Sequence, residues 1–204
     1  FTPMGADVYH SDGQGYAQKA VVGTNVTCTK GGYTTYTCET CQVSQTVGDF
    51  IMPGGHTWDE DHVCTVCEFH GISLEGATVN FGTVDKPREG TTIPYYVLEE
   101  KGVRPSTYVT FDGKTALTKS NDASLNADGT MRDLYISWNN DRSVGVATVR
   151  YEGRGDYYGV RELQYKLLPG NVTDLKAAAT GTNSVTLTWD AAIGAGYYRV
   201  YRCD

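Results

Sequence analysis

The sequence contains no long hydrophobic run and no convincing amphipathic helix. No apolar stretch approaches the roughly 20 residues that a membrane-spanning helix needs. The best helical candidate, Leu175 to Ala179, is interrupted by Thr180-Gly181. The absence of helical apolar spacing disfavours a helical fold, and the absence of a long apolar run disfavours insertion into a membrane.

Clusters of basic side chains are also scarce. The chain has 24 acidic and 17 basic side chains, which gives a net charge of −7. Nucleic-acid grooves and anionic membrane surfaces are bound through clusters of Lys and Arg. The nearest approach to a cluster is interrupted by acidic residues and comprises Arg150, Arg154, Arg161 and Lys166. We therefore expect no nucleic-acid partner.

The residues that are abundant favour strands and turns. The chain has 15 Tyr and 24 Gly, with many Thr and Val and few tracts of Leu, Ala, Glu or Lys. A hydrophobic content of 40% argues against wholesale disorder, so we predict a folded all-β protein. The sequence begins at Phe1 without an initiator Met or a charged-then-apolar leader, and we expect it to derive from a longer precursor.

The strongest chemical signal is the spacing of the cysteines. Five of the six lie between Cys28 and Cys67, and two C-x-x-C pairs in this segment are separated by 22 residues. That spacing is typical of a four-cysteine zinc site built from two knuckles. A structural zinc would supply folding free energy on the order of 10 kcal/mol to a segment with little apolar core. The predicted ligands are Cys38, Cys41, Cys64 and Cys67.

Two alternatives to this ligand set stay open. A histidine followed by cysteines occurs twice in the sequence, which favours a mixed site whose histidine is His56 or His10 and whose cysteines are Cys28, Cys38 and Cys41. Disulfide bonds are the other alternative, since secreted chains use them. A redox dithiol is disfavoured, because the thioredoxin-type C-x-x-C opens a helix within a βαβ unit.

The pattern of residue types along the sequence changes after residue 70. Strand signals recur at regular spacing as far as residue 168, and about seven strands in such a length predict an antiparallel β-sandwich. Within it, Thr107 to Phe111 and Thr115 to Thr118 flank Asp112-Gly113, the signature of a tight hairpin.

A third unit is predicted after Pro169-Gly170. Three strands are expected there, over Val172 to Ala177, Ser184 to Trp189 and Tyr197 to Arg202. The sequence thus predicts a Cys/His-rich module at residues 1–70, a β-sandwich at 71–168 and a short β-segment at 169–204.

Three stretches resemble modules of large clostridial-type Gram-positive cell-surface proteins. One part of this chain resembles the cysteine/histidine repeats of these proteins, namely VTCTKGGYTTYTCETC followed by GGHTW. Bacterial immunoglobulin-like domains end on strands similar to ISWNNDRSVGVATVRYEGRGDYYG. The opening third of a fibronectin type III domain resembles NVTDLKAAATGTNSVTLTWDAAIGAGYYRVYRCD. In that last family, Trp189, Tyr198 and Val200 would be core positions. The resemblance implies a multimodular protein that is secreted or displayed on the cell wall.

We therefore expect a non-catalytic spacer that presents an adhesive or glycan-active domain of the same longer chain. An enzyme is disfavoured, because all four histidines fall within residues 10–70 and a zinc site with four cysteine ligands is closed. The alternative is an adhesion module that binds a carbohydrate or a host surface protein, since glycan binding needs exposed aromatic rings beside polar groups. The aromatic candidates are Tyr95, Tyr96, Tyr108, Tyr157, Tyr158 and Trp138, the last beside Asn139 and Asn140.

Overall fold

The structure is a computed structural model that describes residues 2–4, 7–11, 17–81 and 93–201. Apart from one turn of 3-10 helix at Leu74–Gly76, the regular elements of these residues are strands. In chain order they are β1 (Thr2–Met4), β2 (Asp7–Ser11), β3 (Ala17–Thr24), β4 (Gly32–Cys38), β5 (Ser44–Ile51), β6 (Ile72–Ser73), β7 (Thr78–Phe81), β8 (Tyr95–Val97), β9 (Thr107–Thr110), β10 (Lys119–Ser120), β11 (Leu134–Asn139), β12 (Gly145–Gly153), β13 (Tyr157–Tyr158), β14 (Val160–Leu168), β15 (Thr173–Gly181) and β16 (Ser184–Asp190). The predicted all-β class is confirmed. None of the described segments forms a helix long and apolar enough to cross a membrane.

The chain divides into two compact units. The first comprises Phe1–Leu74, Leu117–Tyr135 and Glu152–Gly159, and the second comprises Glu75–Ala116, Ile136–Tyr151 and Val160–Asp204. These boundaries do not coincide with those predicted at residues 70 and 168, because two later segments return to the cysteine-rich one. The Gly31 amide donates to the Gly129 carbonyl at 2.8 Å, and the Ile72 amide donates to the Asp156 carbonyl at 2.9 Å.

The first unit is built on an antiparallel meander in which β1 to β5 follow one another across the sheet. Its register aligns Val8 with Ala20 and Ala20 with Cys38, so Cys38 ends β4 beside the middle of β3. Two short parallel pairings, β6 with β13 and β10 with β11, complete the described part of the unit.

The described side chains of the first unit bury little hydrocarbon. Among its side chains whose burial is described, the buried apolar residues are Cys38, Cys64, Leu74 and Leu134. Two of these four are first cysteines of C-x-x-C pairs. For a segment whose described side chains bury so little hydrocarbon, a metal site is one source of additional folding free energy.

The second unit has a conventional core. Strands β11, β12, β14 and β8 lie side by side in that order, and alternate residues of β12 (Ala147, Val149 and Tyr151) are fully buried. Tyr165 and Leu167 on β14 are buried in the same way, as the period of two of a strand requires. The sheet is not purely antiparallel, since β8 runs parallel to β14.

The Asp112-Gly113 turn is present, but the hairpin predicted around it is wrong. Gly113 has a φ of 73°, yet β9 pairs with the earlier strand β7 and Thr115–Thr118 forms no strand. The carboxylate of Asp112 accepts hydrogen bonds from the amides of Lys114 and Thr115, at 2.8 and 2.7 Å. These hydrogen bonds pair the backbone amides of the turn with a side chain of the turn itself, so the residues after it need no pairing with β9.

The last part of the second unit contains two of the three predicted strands. Strands β15 and β16 pair antiparallel, whereas residues 197–201 form no strand and residue 202 lies outside the described residues. Trp189 contacts Tyr198 edge-to-face at 5.3 Å between ring centroids. Tyr198 and Val200 are nevertheless exposed, with 38% and 64% of their surface accessible.

Candidate metal centre

Four potential metal ligands converge in the first unit. The sulfur atoms of Cys28, Cys64 and Cys67 and one ring nitrogen of His56 all lie within 4.8 Å of one another. The Sγ atoms of Cys28 and Cys64 are 3.9 Å apart, and the Sγ of Cys67 lies 3.4 Å from Nδ1 of His56. These residues can bind one metal ion.

The distances fit a tetrahedral site, and the sulfurs of Cys28 and Cys64 lie too far apart to be bonded to each other. With Zn–S bonds of about 2.3 Å and Zn–N bonds of about 2.05 Å, tetrahedral geometry separates two sulfurs by about 3.8 Å and a sulfur from a nitrogen by about 3.6 Å. The observed separations of 3.9 and 3.4 Å are close to both values. The five described cysteines are all free thiols.

The irregular segment through Gly54-Gly55 brings His56 close to Cys28. The amide of Gly55 donates to the carbonyl of Cys28 at 2.7 Å, which fixes the two segments side by side. Gly55 has a φ of 82°, a left-handed conformation that favours glycine. Cys28 itself lies in the loop between β3 and β4 and is half-buried.

The other two ligands belong to a tight turn, Cys64–Cys67. The amide of Glu68 donates to the Cys64 carbonyl and the Cys64 amide donates to the Phe69 carbonyl, both at 2.9 Å. Glu68 has a φ of 59°, which closes the turn. The amide of Val66 points at the Cys64 sulfur at 3.4 Å. The backbone therefore presents both sulfurs on one side of the turn and donates a hydrogen bond to the buried one.

His56 is held by a carboxylate and two aromatic rings. Its Nε2 lies 3.1 Å from Oδ1 of Asp156, and its side chain is only 4% exposed. The ring stacks on Phe69 at 5.2 Å with an interplanar angle of 15°, and Trp58 lies 4.6 Å away. When Nε2 donates to the carboxylate, Nδ1 is left unprotonated and faces the sulfurs, which is the tautomer that a metal requires.

The thiols differ in how easily they ionise. Burial, together with the neighbouring thiols of Cys67 and Cys64, raises the pKa of Cys28 to about 11. Burial also raises the pKa of Cys64. Hydrogen bonds from the amides of Val66 and Cys67 and from the ring of His56 outweigh this effect and lower the pKa of Cys64 to about 5. These hydrogen bonds favour the thiolate of Cys64, and a divalent cation would displace the protons of the other thiols because it neutralises the crowded sulfurs.

This ligand set differs from the one that the cysteine spacing predicts. Cys64 and Cys67 belong to both sets, but they are joined by the alternates Cys28 and His56 and not by Cys38 and Cys41. The physical reason is the course of the meander. Cys38 ends β4 and Cys41 lies in the turn that leads to β5, whereas Cys28 precedes β4 and so lies at the opposite end of that strand. The signal that points to the observed set is His56 itself, eight residues before Cys64 and directly after the sequence Pro-Gly-Gly.

Other predicted site residues lie apart from this centre or support it indirectly. The six aromatic residues proposed for glycan binding are all half-buried, and Tyr158 stacks on His62 at 3.7 Å between ring centroids. Of His10 only the backbone is described, on β2, and Cys203 lies outside the described residues. Asp156, which orients His56, is 100 residues away in sequence and carries no motif.

No protein-family model, no curated protein and no solved structure matches the chain significantly.

Proposed function

We propose that the chain is a non-catalytic structural segment of a longer extracellular protein, and that a zinc ion bound by Cys28, His56, Cys64 and Cys67 stabilises its first unit. The observation that carries the proposal is the convergence of three thiols and one imidazole within 4.8 Å from two segments of the chain. A closed site of this kind contributes to folding and leaves no coordination position for a substrate.

Zinc is the metal that this ligand set favours. Thiolate-rich tetrahedral sites with one imidazole select zinc over hard cations such as Mg²⁺ or Ca²⁺, which require oxygen ligands. The separations of the donor atoms match zinc–ligand bond lengths, and the carboxylate of Asp156 supplies the outer hydrogen bond typical of histidine ligands.

The role of a spacer is supported by how the two units are stabilised. The second unit buries an ordinary apolar core, whereas the first relies on a centre built from Cys28 and the 56–67 segment. A small β unit that is cross-linked by a metal resists opening without needing a large core. The resemblance to modules of Gram-positive surface proteins supports an extracellular location, beside further domains of the same chain.

A glycan-binding role is less well supported, because the aromatic residues proposed for it are half-buried and do not form an exposed platform. Retention of the chain on a glycan array would favour that alternative, and we expect none.

The test of the proposal compares Cys28→Ser with Cys203→Ser. We expect Cys28→Ser to weaken zinc binding and to make the 28–72 segment sensitive to limited proteolysis, while fragments from the second unit persist. Cys203→Ser, a matched change outside the centre, should leave both measurements unchanged. Equal zinc content and equal proteolysis patterns for the two variants would refute the proposal.

A further inference from the structure

Two C-x-x-C turns of the first unit, Cys38–Cys41 and Cys64–Cys67, have the same backbone conformation. In each, the amide of the first cysteine donates to the carbonyl five residues later, and its carbonyl accepts from the amide four residues later, at 2.9–3.0 Å. Gln42 and Glu68, which follow the second cysteine of each turn, both have a φ of 59°. The two turns therefore differ in the side chains around their sulfurs and not in their backbones.

The surroundings of the two sulfur pairs are different. Cys28 and His56 join the sulfurs of the 64–67 turn in a group of four potential ligands within 4.8 Å. Across the part of the chain that the structure describes, no second group of three or more such ligands comes together, so Cys38 and Cys41 have only each other. Two thiols do not complete a tetrahedral metal site, but two thiols are all that a disulfide needs.

The 38–41 turn holds its cysteines at a separation that suits a disulfide. In a closed turn the first and fourth Cα atoms lie less than about 7 Å apart, and disulfides join Cα atoms separated by about 4.4–6.8 Å. The amide nitrogen of Cys41 lies 3.5 Å from the sulfur of Cys38. The Cβ of Cys41 is two covalent bonds from that nitrogen, so rotation of the Cys41 side chain can bring the two sulfurs together.

The two thiols differ in access and in ionisation. Cys38 is 0% exposed, whereas Cys41 lies on the surface. A hydrogen bond from the Cys41 amide, helped by the Cys41 side chain and the Thr40 amide, lowers the pKa of Cys38 in spite of its burial. Thiol–disulfide exchange begins at an accessible sulfur and is completed by a second thiolate. Cys41 is therefore placed to meet an oxidant, and Cys38 is placed to resolve the intermediate.

We propose that Cys38 and Cys41 form a disulfide by exchange with a low-molecular-weight disulfide, R–S–S–R. The Cys41 thiolate attacks one sulfur of this oxidant, which forms a mixed disulfide and releases one RS⁻. The Cys38 thiolate then attacks the sulfur of Cys41, forms the Cys38–Cys41 bond and releases the second RS⁻. The two cysteines are oxidised, their two protons pass to the solvent or to the released thiolates, and the oxidant is reduced to two thiols.

This disulfide is a modification of a β-turn and not a thioredoxin-type centre. The turn joins β4 to β5 and opens no helix, whereas the thioredoxin-type pair lies at the start of a helix. The inference does not rest on the metal at the 64–67 turn or on the role of the chain as a spacer.

The experiment uses the unsubstituted chain, reduced, loaded with zinc and freed of reductant. Oxidised glutathione is added, the remaining thiols are blocked with iodoacetamide during denaturation, and the chain is cut after Lys and Glu. Cleavage at Lys30, Glu39 and Glu60 leaves Cys38 in fragment 31–39 and Cys41 in fragment 40–60, each with no other cysteine. We expect mass spectrometry to find these two fragments joined, and a reductant to separate them.

The 64–67 turn is a matched control within the same sample, because it has the same backbone. Both of its cysteines lie in fragment 61–68. We expect both to carry the iodoacetamide label, because a bound metal protects their sulfurs from the oxidant. A disulfide inside fragment 61–68, beside the joined fragments 31–39 and 40–60, would refute the metal centre and leave the Cys38–Cys41 disulfide established.

Three results would overturn the proposed disulfide. One is fragment 40–60 joined to any fragment other than 31–39. Another is a lasting glutathione adduct on Cys41 while Cys38 carries the iodoacetamide label. The third is full labelling of both cysteines after exposure to the oxidant.

Single variants test the separate roles of the two thiols. In Cys38→Ser, a glutathione adduct should accumulate on Cys41, because the resolving thiolate is absent. In Cys41→Ser, the buried Cys38 should gain little adduct over the same time. The reverse pattern would contradict the assignment of Cys41 as the attacking thiol.

Discussion

The hydrogen bond between His56 and Asp156 provides a sharp test of the metal centre. Nε2 of His56 lies 3.1 Å from Oδ1 of Asp156, so the carboxylate fixes the tautomer whose Nδ1 faces the three sulfurs. Asp156→Asn keeps the size of the side chain but removes its charge, and it leaves an amide that can also donate. We expect this variant to bind zinc more weakly, with little change in the fold of the second unit.

The size of the effect follows from the exposure of the two partners. Removing the outer hydrogen-bond partner of a ligand commonly weakens metal binding by about 10- to 100-fold. The side chain of His56 is 4% exposed, but that of Asp156 is 47% exposed, so water can replace part of the lost interaction. We therefore expect the lower end of this range, about tenfold, which corresponds to about 1.4 kcal/mol.

The assay is competition for zinc with a chromophoric chelator. A matched control is Asp174→Asn, because Asp174 is 54% exposed and forms an ion pair with Lys176 in the second unit. The control should bind zinc as the unsubstituted chain does. If Asp156→Asn and Asp174→Asn gave the same affinity as the unsubstituted chain, the assignment of His56 as an oriented metal ligand would be refuted.

Three further predictions concern stability. Gly71→Ala should destabilise the first unit by about 1–3 kcal/mol in chemical denaturation, because an added Cβ would lie 2.8 Å from an aromatic ring carbon. At Gly54 an added Cβ would meet no atom within 4 Å, so Gly54→Ala should leave the free energy of unfolding unchanged. Tyr165→Phe should lower the stability measured in a thermal melt by about 1 kcal/mol, because the buried hydroxyl of Tyr165 donates to a backbone carbonyl at 2.7 Å. The same change at Tyr201, which is 79% exposed, should leave the stability unchanged. Backbone amides hold the pKa of Asp112 well below its usual range, so Asp112→Asn should destabilise the chain at neutral pH. The difference should shrink as the pH falls below about 4, where the unfolded carboxyl takes up its proton, and equal differences at pH 7 and pH 3 would contradict this reasoning.

Much of the fold can be predicted from local patterns. Alternating apolar residues predict β12 and β14, because a strand buries every second side chain whatever its neighbours are. Pairing is harder to predict, since a turn residue specifies only the local geometry. Asp112 forms its turn as expected, but β9 pairs with β7, a choice made by tertiary packing.

The candidate site shows the same limit. The spacing of the cysteines correctly indicates a possible metal centre, and Cys64 and Cys67 are among its residues. The other two members depend on which loops lie side by side, here through the hydrogen bond from Gly55 to Cys28. Asp156 has no local signature, because a carboxylate that orients a histidine needs only to be near it in space.

The most direct measurement of the central claim is an anomalous difference map, recorded at the zinc absorption edge from crystals grown without chelator. We predict a peak about 2.0–2.3 Å from the Sγ atoms of Cys28, Cys64 and Cys67 and from Nδ1 of His56. A map without a peak among these four atoms, with Cys64 and Cys67 joined in a disulfide or bound to zinc together with Cys38 and Cys41, would contradict the account.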